Sequence, residues 1–213
     1  MSKLRLIITM SLDGYVAGPE QSETDPLGVG GMALHAWFHP LKEFRAMHGE
    51  SGGETDRSSA VVAERFSGLG ATIMGRKMFG GGPGPWGNDP WRGWWGEEPP
   101  YHHPVFVLTH YEREPLEMKG GTTFHFVTGG IEDALERAEI AAAGKDISLA
   151  GGAQVVNQYL AKGIVDELDI SIAPLILGAG ERLFEGVPPG AVGLTQIAAV
   201  DAPGVTHITY GVD

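Results

Sequence analysis

SLAGGAQVVNQYLAKGIVDELDISIAPLILGAGERLF, Ser148 to Phe184, is the stretch whose reading decides the fold. The apolar run Ile147-Ser148-Leu149-Ala150 ends in Gly151-Gly152. Val155, Val156, Tyr159 and Leu160 then recur at the one-sided spacing of an amphipathic helix. Gly163 stands where a helix end wants a positive φ. Beyond it Leu168, Ile170 and Ile172 alternate with Asp169 and Ser171, the period-2 pattern of a half-buried strand. Strand, glycine pair, helix and strand make a βαβ unit. The glycines leave backbone N–H groups at a helix start open to a ligand, the ordinary way to hold a phosphate. A tight turn with nothing bound reads equally well from this stretch alone.

The flanking chain fits that unit. Leu4 to Met10 reads as a strand, Ser11 to Pro19 as turns, and residues 19–35 as a long polar, Gly-rich loop. His35 to Met47 predicts a helix broken or started near Pro40. Ser58 to Phe66 predicts another, with Ser58 and Ser59 as caps and Val61, Val62, Arg65 and Phe66 on one side. Ala71 to Met74 is a short buried strand leading into Gly75-Arg76-Lys77-Met78-Phe79. Gly80 to His103 is a long ordered loop that holds four of the five tryptophans, Trp86, Trp91, Trp94 and Trp95. Val105–109 and Thr122–127 are strands, and Ile131–142 is a helix with Ala134, Leu135, Ala138 and Ala142 along one face. Segments 192–200 and 205–210 flank the turn Asp201-Ala202-Pro203-Gly204 as an antiparallel hairpin. Strands alternating with helices and a terminal hairpin imply one α/β domain over residues 1–213, mostly parallel with an antiparallel edge.

Composition narrows the functions. With 27 acidic and 15 basic residues, the net charge of -12 speaks against nucleic-acid or anionic-membrane partners. The chain has no cysteine, which excludes disulfides and thiolate zinc sites and suits a reducing cytoplasm. No segment reads as a signal peptide or membrane span. His35, His39, His102 and His103 tempt a metal reading. Adjacent histidines on an extended chain point to opposite faces, however, and Pro40 spoils the helical pair.

Three strand ends carry candidate ligand groups: Gly75-Arg76-Lys77, Thr109-His110 and Gly151-Gly152. Ligands of open parallel sheets bind outside the carboxyl ends of strands. Glycines, forked cations and a hydroxyl are what a phosphorylated nucleotide needs. Neither G-x-G-x-x-G after the first strand nor G-x-x-x-x-G-K-[ST] is present.

Four blocks in order carry a family resemblance: Ile8-Thr9-Met10-Ser11-Leu12-Asp13-Gly14-Tyr15-Val16-Ala17, Ile73 to Phe79, Val105-Phe106-Val107-Leu108-Thr109 and Ala150-Gly151-Gly152-Ala153. The chain resembles dihydrofolate reductase, and more closely the reductase domain of bacterial riboflavin biosynthesis and its stand-alone relatives. The resemblance implies a three-layer fold with a mostly parallel eight-stranded sheet, an antiparallel C-terminal hairpin, and NADPH as cofactor. It implies that Gly75, Arg76, Lys77 and Met78 hold cofactor phosphates and that Thr109 and His110, after Leu108, approach the adenosine 2′-phosphate with Arg76. Gly151, Gly152, Ala153, Gln154 and Val155 would line the pyrophosphate, and Thr9, Val16 and Ala17 would border the nicotinamide. A homodimer and a small heterocyclic substrate also follow from the resemblance. The apolar run Ile172 to Leu177 offers a subunit interface.

The substrate side departs from the family. Dihydrofolate reductases carry a carboxylic acid on the helix before the Ile-Met-Gly-Arg strand. Here Ser59 stands near that place, with Glu54, Asp56 and Glu64 out of register, which speaks against folate reduction. Asp13 is the candidate catalytic acid; an Asx-turn before Gly14 explains it as well. Arg45, Arg57 and Arg65 are the cations available for a ribose phosphate. The tryptophan loop offers flat surface to a heterocycle, or it packs beneath itself or at an interface. The zinc signature of the riboflavin-type deaminase is absent. An NADP(H)-binding sensor without turnover is the alternative to a reductase, and flavin binding is a third reading.

Overall fold

A computed structural model describes residues 2–88 and 91–213. Its centre is the βαβ unit: β7 (Asp146–Gly151), α5 (Ala153–Ala161) and β8 (Glu167–Ala173). Between β7 and β8, and parallel to both, lies β1 (Leu4–Ser11). The remaining elements in chain order are β2 (Tyr15–Ala17), α1 (Lys42–Met47), α2 (Arg57–Phe66), β3 (Leu69–Gly75), α3 (Arg76–Phe79), β4 (Pro104–Leu108), β5 (Leu116–Glu117), β6 (Thr123–Val127), α4 (Gly130–Ala142), β9 (Glu181–Arg182), β10 (Leu194–Ala202) and β11 (Val205–Val212). The main sheet runs β10-β11-β8-β1-β7-β3-β4-β6-β5, and β2 pairs with β9 in a separate ribbon. The expected eight strands become nine because the two-residue β5 adds antiparallel to β6. The terminal hairpin β10–β11 closes the opposite end antiparallel.

Strand alternation gives the sheet two unlike faces. Leu4, Leu6, Ile73, Leu149, Leu168 and Ile170 join Ala134, Ala138, Val156, Tyr159 and Leu160 of α4 and α5 in the principal core. Tyr159 stays fully buried because its hydroxyl donates to Ile131 O at 2.7 Å. The other face is apolar only toward β4 and β6, where Met74, Phe79, Val105, Val107, Phe124 and Phe126 cluster under Trp86, Trp91 and Trp95. Toward β1, β8 and β11 it is polar and still buried: Arg5, Asp169, Ser171 and His207 lie beneath α2.

Several local expectations change. Asp56, not Ser58 or Ser59, caps α2: its carboxylate accepts from Ser58 N at 2.7 Å, and Ser59 completes a capping box. Ser58 is freed to turn inward, while Ser59, also buried, accepts from Asp56 N at 3.3 Å. Arg65 takes the buried place on α2, while Phe66 is 41% exposed. The break expected near Pro40 within His35 to Met47 is present. A 3₁₀ turn, Gly31–His35, ends before Pro40, which has no backbone N–H to give, and α1 begins at Lys42. That turn also breaks the long loop expected over residues 19–35. No helix among the described residues is long and apolar enough to cross a membrane.

Candidate functional site

Strands β7, β3, β4 and β6 are neighbours, so their carboxyl ends open on one crevice of about 720 Å³. All three sequence-marked strand ends reach it. Gly75, Arg76, Lys77, Leu108, Thr109, His110, Gly152, Ala153, Gln154 and Val155 line it. The approach of β3 to α5 is close: a Cβ on Gly75 would stand 2.8 Å from Val155 Cγ2. A Cβ on Gly152 would meet nothing within 4 Å.

Three helices start at this crevice behind glycines: the one-turn α3 behind Gly75, and the longer α4 and α5, which differ. α4 has Gly129 as N-cap with no side-chain cap, but Glu132 and Asp133 lie in its first turn. Asp133 leans on the start so closely that a Cβ on Gly129 would be 2.4 Å from its Oδ2. α5 has Gly152 as N-cap, no side-chain cap and no acid in its first turn. Its leading N–H groups and positive dipole end are therefore uncompensated, which suits an anion.

Arg76 is the fixed cation. Its Nε donates to Gly80 O and one Nη to Gly81 O, both at 3.0 Å, while the other Nη reaches Thr109 Oγ1 at 3.4 Å. Its guanidinium carbon lies 3.1 Å from the centre of the Trp86 ring, and Arg113 covers the same ring at 4.6 Å. Burial and then the Arg113 charge push the Arg76 pKa down, but an arginine stays charged. Among the described residues it has only neutral partners, so its charge stands uncompensated. Lys77 differs: its ammonium is bound by the Glu181 carboxylate.

Six expected site residues stay outside the crevice wall, Met78 of α3 among them. Gly151 is buried behind it at φ 134°, where a Cβ would stand 3.3 Å from Met78 Sδ. Thr9 faces the buried polar side of the sheet. Val16 and Ala17 are buried in β2. Asp13 is committed as an acceptor: Ser11 Oγ donates at 2.6 Å, Leu177 N at 3.1 Å and Gly178 N at 2.7 Å. The Ser11 hydroxyl, followed by those backbone donors, holds its carboxyl below the usual range. Arg65 is buried against Asp169 and Ser171, Arg57 pairs with Asp201, and Arg45 with Glu50.

Other lining residues were missed. Thr128, Gly130 and Ile131 come from a second strand–Gly-Gly–helix junction, Phe126 to Ile131, whose pattern repeats that of Leu149 to Ala153. Gln21, Ser22, Glu23 and Pro26 arrive on a loop closed at its root, where Gly18 N donates to Leu27 O and Val29 N to Pro19 O. Only glycine fits at that root: a Cβ on Gly18 would sit 2.0 Å from Val29 O. Trp94 lines the crevice and donates to Met78 O at 2.9 Å, while Trp91 donates to Phe79 O at 2.8 Å. The loop thus mainly packs over the second core. His102 and His103 bond in different directions, to Gly120 O and Thr72 Oγ1. Among the described residues no group of three or more His, Cys, Asp or Glu side chains is placed to hold a metal.

Comparisons with known proteins agree with this architecture. The family model described as the RibD C-terminal domain matches residues 2–202. Over 41 residues, 19% of the chain, the uncharacterized proteins YyaP and YwjB of Bacillus subtilis (strain 168) are 49% and 42% identical. Those matches span 22% and 24% of the two relatives. Among solved structures, a Shewanella sp. PV-4 protein named for riboflavin biosynthesis is 21% identical with a TM-score of 0.63, covering 100% of this chain and 99% of its own. The riboflavin biosynthesis reductase Rib7 of Saccharomyces cerevisiae is 14% identical with a TM-score of 0.55, over 100% and 90%. Dihydrofolate reductase from Enterococcus faecalis, solved with NADP(H), is 14% identical with a TM-score of 0.50, over 99% and 96%. At such identities the structural likeness establishes the fold.

Proposed function

The chain belongs to the RibD C-terminal domain family, and from that premise we propose that it is an NADPH-dependent reductase. Its substrate is a small heterocycle, pterin- or aminopyrimidine-like, of the riboflavin-pathway type, reduced at a C=N or C=O bond. The observation that carries this reading is the meeting of Arg76, Thr109 and the uncompensated start of α5 in one crevice.

The residues fit a dinucleotide. Gly152, Ala153 and Gln154 offer α5 N–H groups to a pyrophosphate, with no acid nearby in that turn to repel it. Arg76, with Thr109 and His110, offers a fork and a hydroxyl to a 2′-phosphate. Val16 and Ala17 sit at the root of the loop bearing Gln21 to Pro26, so their contact with a nicotinamide would come from behind that loop. When bound, the cofactor supplies the hydride. The protein orients it and shields it from water. Asp13 works in this reading as a positioning group, because its three donors favour the carboxylate form over the acid. The substrate proton then comes from water.

One observation favours the second reading, NADP(H) binding without turnover. Where the folate-reducing relatives carry an acid, α2 turns Ser58 and Ser59 inward, and Ser58 Oγ meets His207 Nε2 at 3.0 Å. A cytoplasmic homodimer completes the proposal. Its support is the nine-residue edge strand β10, with Leu194 48% and Ile197 60% exposed, and Ile176 at 73%. Of the rest of the Ile172–Leu177 run, Ala173 is buried, Ile172, Leu175 and Leu177 are half-buried, and Pro174 is exposed.

The test is titration with NADPH, NADH and FMN, following ligand fluorescence and thermal stability, for wild type and Arg76→Ala. Micromolar NADPH binding, weaker NADH binding, and loss of that preference in the variant are expected. Turnover on pterins, aminopyrimidines and aldehydes then separates reductase from sensor. Failure of both nicotinamide cofactors to bind would overturn the proposal.

A further inference from the structure

Two loops on one side of the crevice are joined into a clasp. Asp13 takes the N–H groups of Leu177 and Gly178, Leu183 N donates to Gly14 O at 2.9 Å, and β2 pairs with β9. Gly180 is pressed against the root of the 18–28 loop, where a Cβ would stand 2.1 Å from Ala17 O. Asn157 anchors the clasp to α5, accepting from Phe184 N at 2.9 Å and donating to Glu185 O at 3.0 Å. Across the crevice, the clasp meets α3 through the ion pair between Glu181 and Lys77. Both side chains line the crevice; the lysine side chain is 54% exposed and the glutamate 21%.

We propose that Glu181 is a specificity-determining residue of this crevice: its carboxylate occupies the Lys77 ammonium that a ligand's second phosphoryl group would otherwise take. The inference rests on the anion-binding reading of the site, not on turnover. Among the described residues Arg76 and the α5 start hold charge without an acidic partner, and they receive the first anionic group. Lys77 becomes available only to a ligand that displaces Glu181. A half-exposed pair is cheap to open, since such pairs contribute little. The exchange therefore admits a diphosphate while an uncharged nucleoside gains nothing from Lys77. Glu181 also keeps an acid at the crevice that disfavours anions unable to make the exchange.

The clasp has independent anchors at Asp13 and Asn157, so Glu181→Gln and Lys77→Met are expected to fold, with melting temperature as the check. Calorimetric titration with inorganic pyrophosphate, NADPH and adenosine is the experiment, on wild type, each single variant and the double variant. Glu181→Gln is expected to tighten pyrophosphate and NADPH binding about two- to fivefold, the scale of an exposed ion pair, and to leave adenosine unchanged. In the Lys77→Met background the Glu181→Gln effect is expected to vanish. Weaker binding in Glu181→Gln would mean that the carboxylate itself grips the ligand, and would overturn the inference. So would no change, or a gain that persists without Lys77. If wild type binds NADPH but the cycle shows no coupling, this inference alone fails. If wild type binds neither NADPH nor pyrophosphate, the reading of the site fails with it.

Discussion

Asp169 Oδ2 accepts from Arg5 Nη2 at 2.7 Å inside the protein, with the aspartate side chain 2% exposed and the arginine 9%. The second carboxylate oxygen faces Arg65 Nε at 3.3 Å and takes the Thr209 hydroxyl at 2.8 Å. One acid on β8 thus sits between two buried guanidinium groups, one from β1 and one from α2. Removing it strands the Arg65 guanidinium, while Arg5 keeps the Glu167 carboxylate at 2.9 Å. Asp169→Asn is expected to cost about 3–5 kcal/mol, the range for breaking a buried pair. Urea denaturation checks this. A loss under about 1 kcal/mol would mean that water reaches the arginines when the acid is gone.

The same polar face makes stability depend on pH through His207. Ser171 Oγ and Ser58 Oγ bond its two ring nitrogens at 2.9 and 3.0 Å, with Arg65 beside it. Burial, then the Arg65 charge, lowers its pKa from 6.5 to about 4, and Asp56 opposes only weakly. Burial likewise lowers His35 and His103 to about 4. These folded pKa values lie below the unfolded one. As pH falls through 6.5 toward 4, the unfolded chain takes up protons that the native fold does not. Stability is therefore complete above about pH 6.5 and declines below it. Each histidine contributes a slope of up to ~1.4 kcal/mol per pH unit in that window. Urea midpoints between pH 7 and 5 should fall, and His207→Gln should make the fall shallower.

Trp86 does not line the crevice, yet it carries the flat face on which Arg76 and Arg113 stack. Its indole N–H donates to Tyr111 O at 3.1 Å, tying the tryptophan loop to the segment after β4. Trp86→Leu removes the ring and frees Arg76 to move. NADPH affinity should fall about three- to tenfold, the worth of a cation–π contact, while Trp86→Phe should keep most of it. Equal effects of the two substitutions would mean that Trp86 acts only by filling space.

The βαβ unit was legible because a 2.0 and a 3.6 period follow one another within Ser148 to Phe184, and the glycines between them have a backbone reason. Ligand groups at strand ends were legible for the same reason, since a parallel sheet gathers them by topology. What escaped was set by pairing across long separations. Nothing near Asp13 in sequence says that its carboxylate will hold Leu177 and Gly178. Nothing near Lys77 points to Glu181, which lies more than a hundred residues on. The polar face under α2 was hidden too: Arg5, Asp169 and His207 look like ordinary surface residues until three strands and one helix enclose them. The junction at Gly129-Gly130 is different, because its pattern was open to the rule already applied at Gly151-Gly152.

Asp13 supplies the sharpest test of position against chemistry. Its carboxylate binds Ser11, Leu177 and Gly178 at once and is held below its ordinary pKa. A group so stabilised as an anion is a poor proton donor near neutrality. Asp13→Ala removes acceptors from two backbone N–H groups, so amide exchange should quicken across residues 174–183 and the melting temperature should fall. Asp13→Asn keeps one acceptor oxygen and should recover much of both. If turnover is found, the Asn variant should retain more than about a tenth of kcat with an unshifted pH profile, because general acid–base catalysis contributes more than that. Loss of a kcat limb in Asp13→Asn, with amide exchange across 174–183 unchanged, would instead make Asp13 the acid and the clasp incidental.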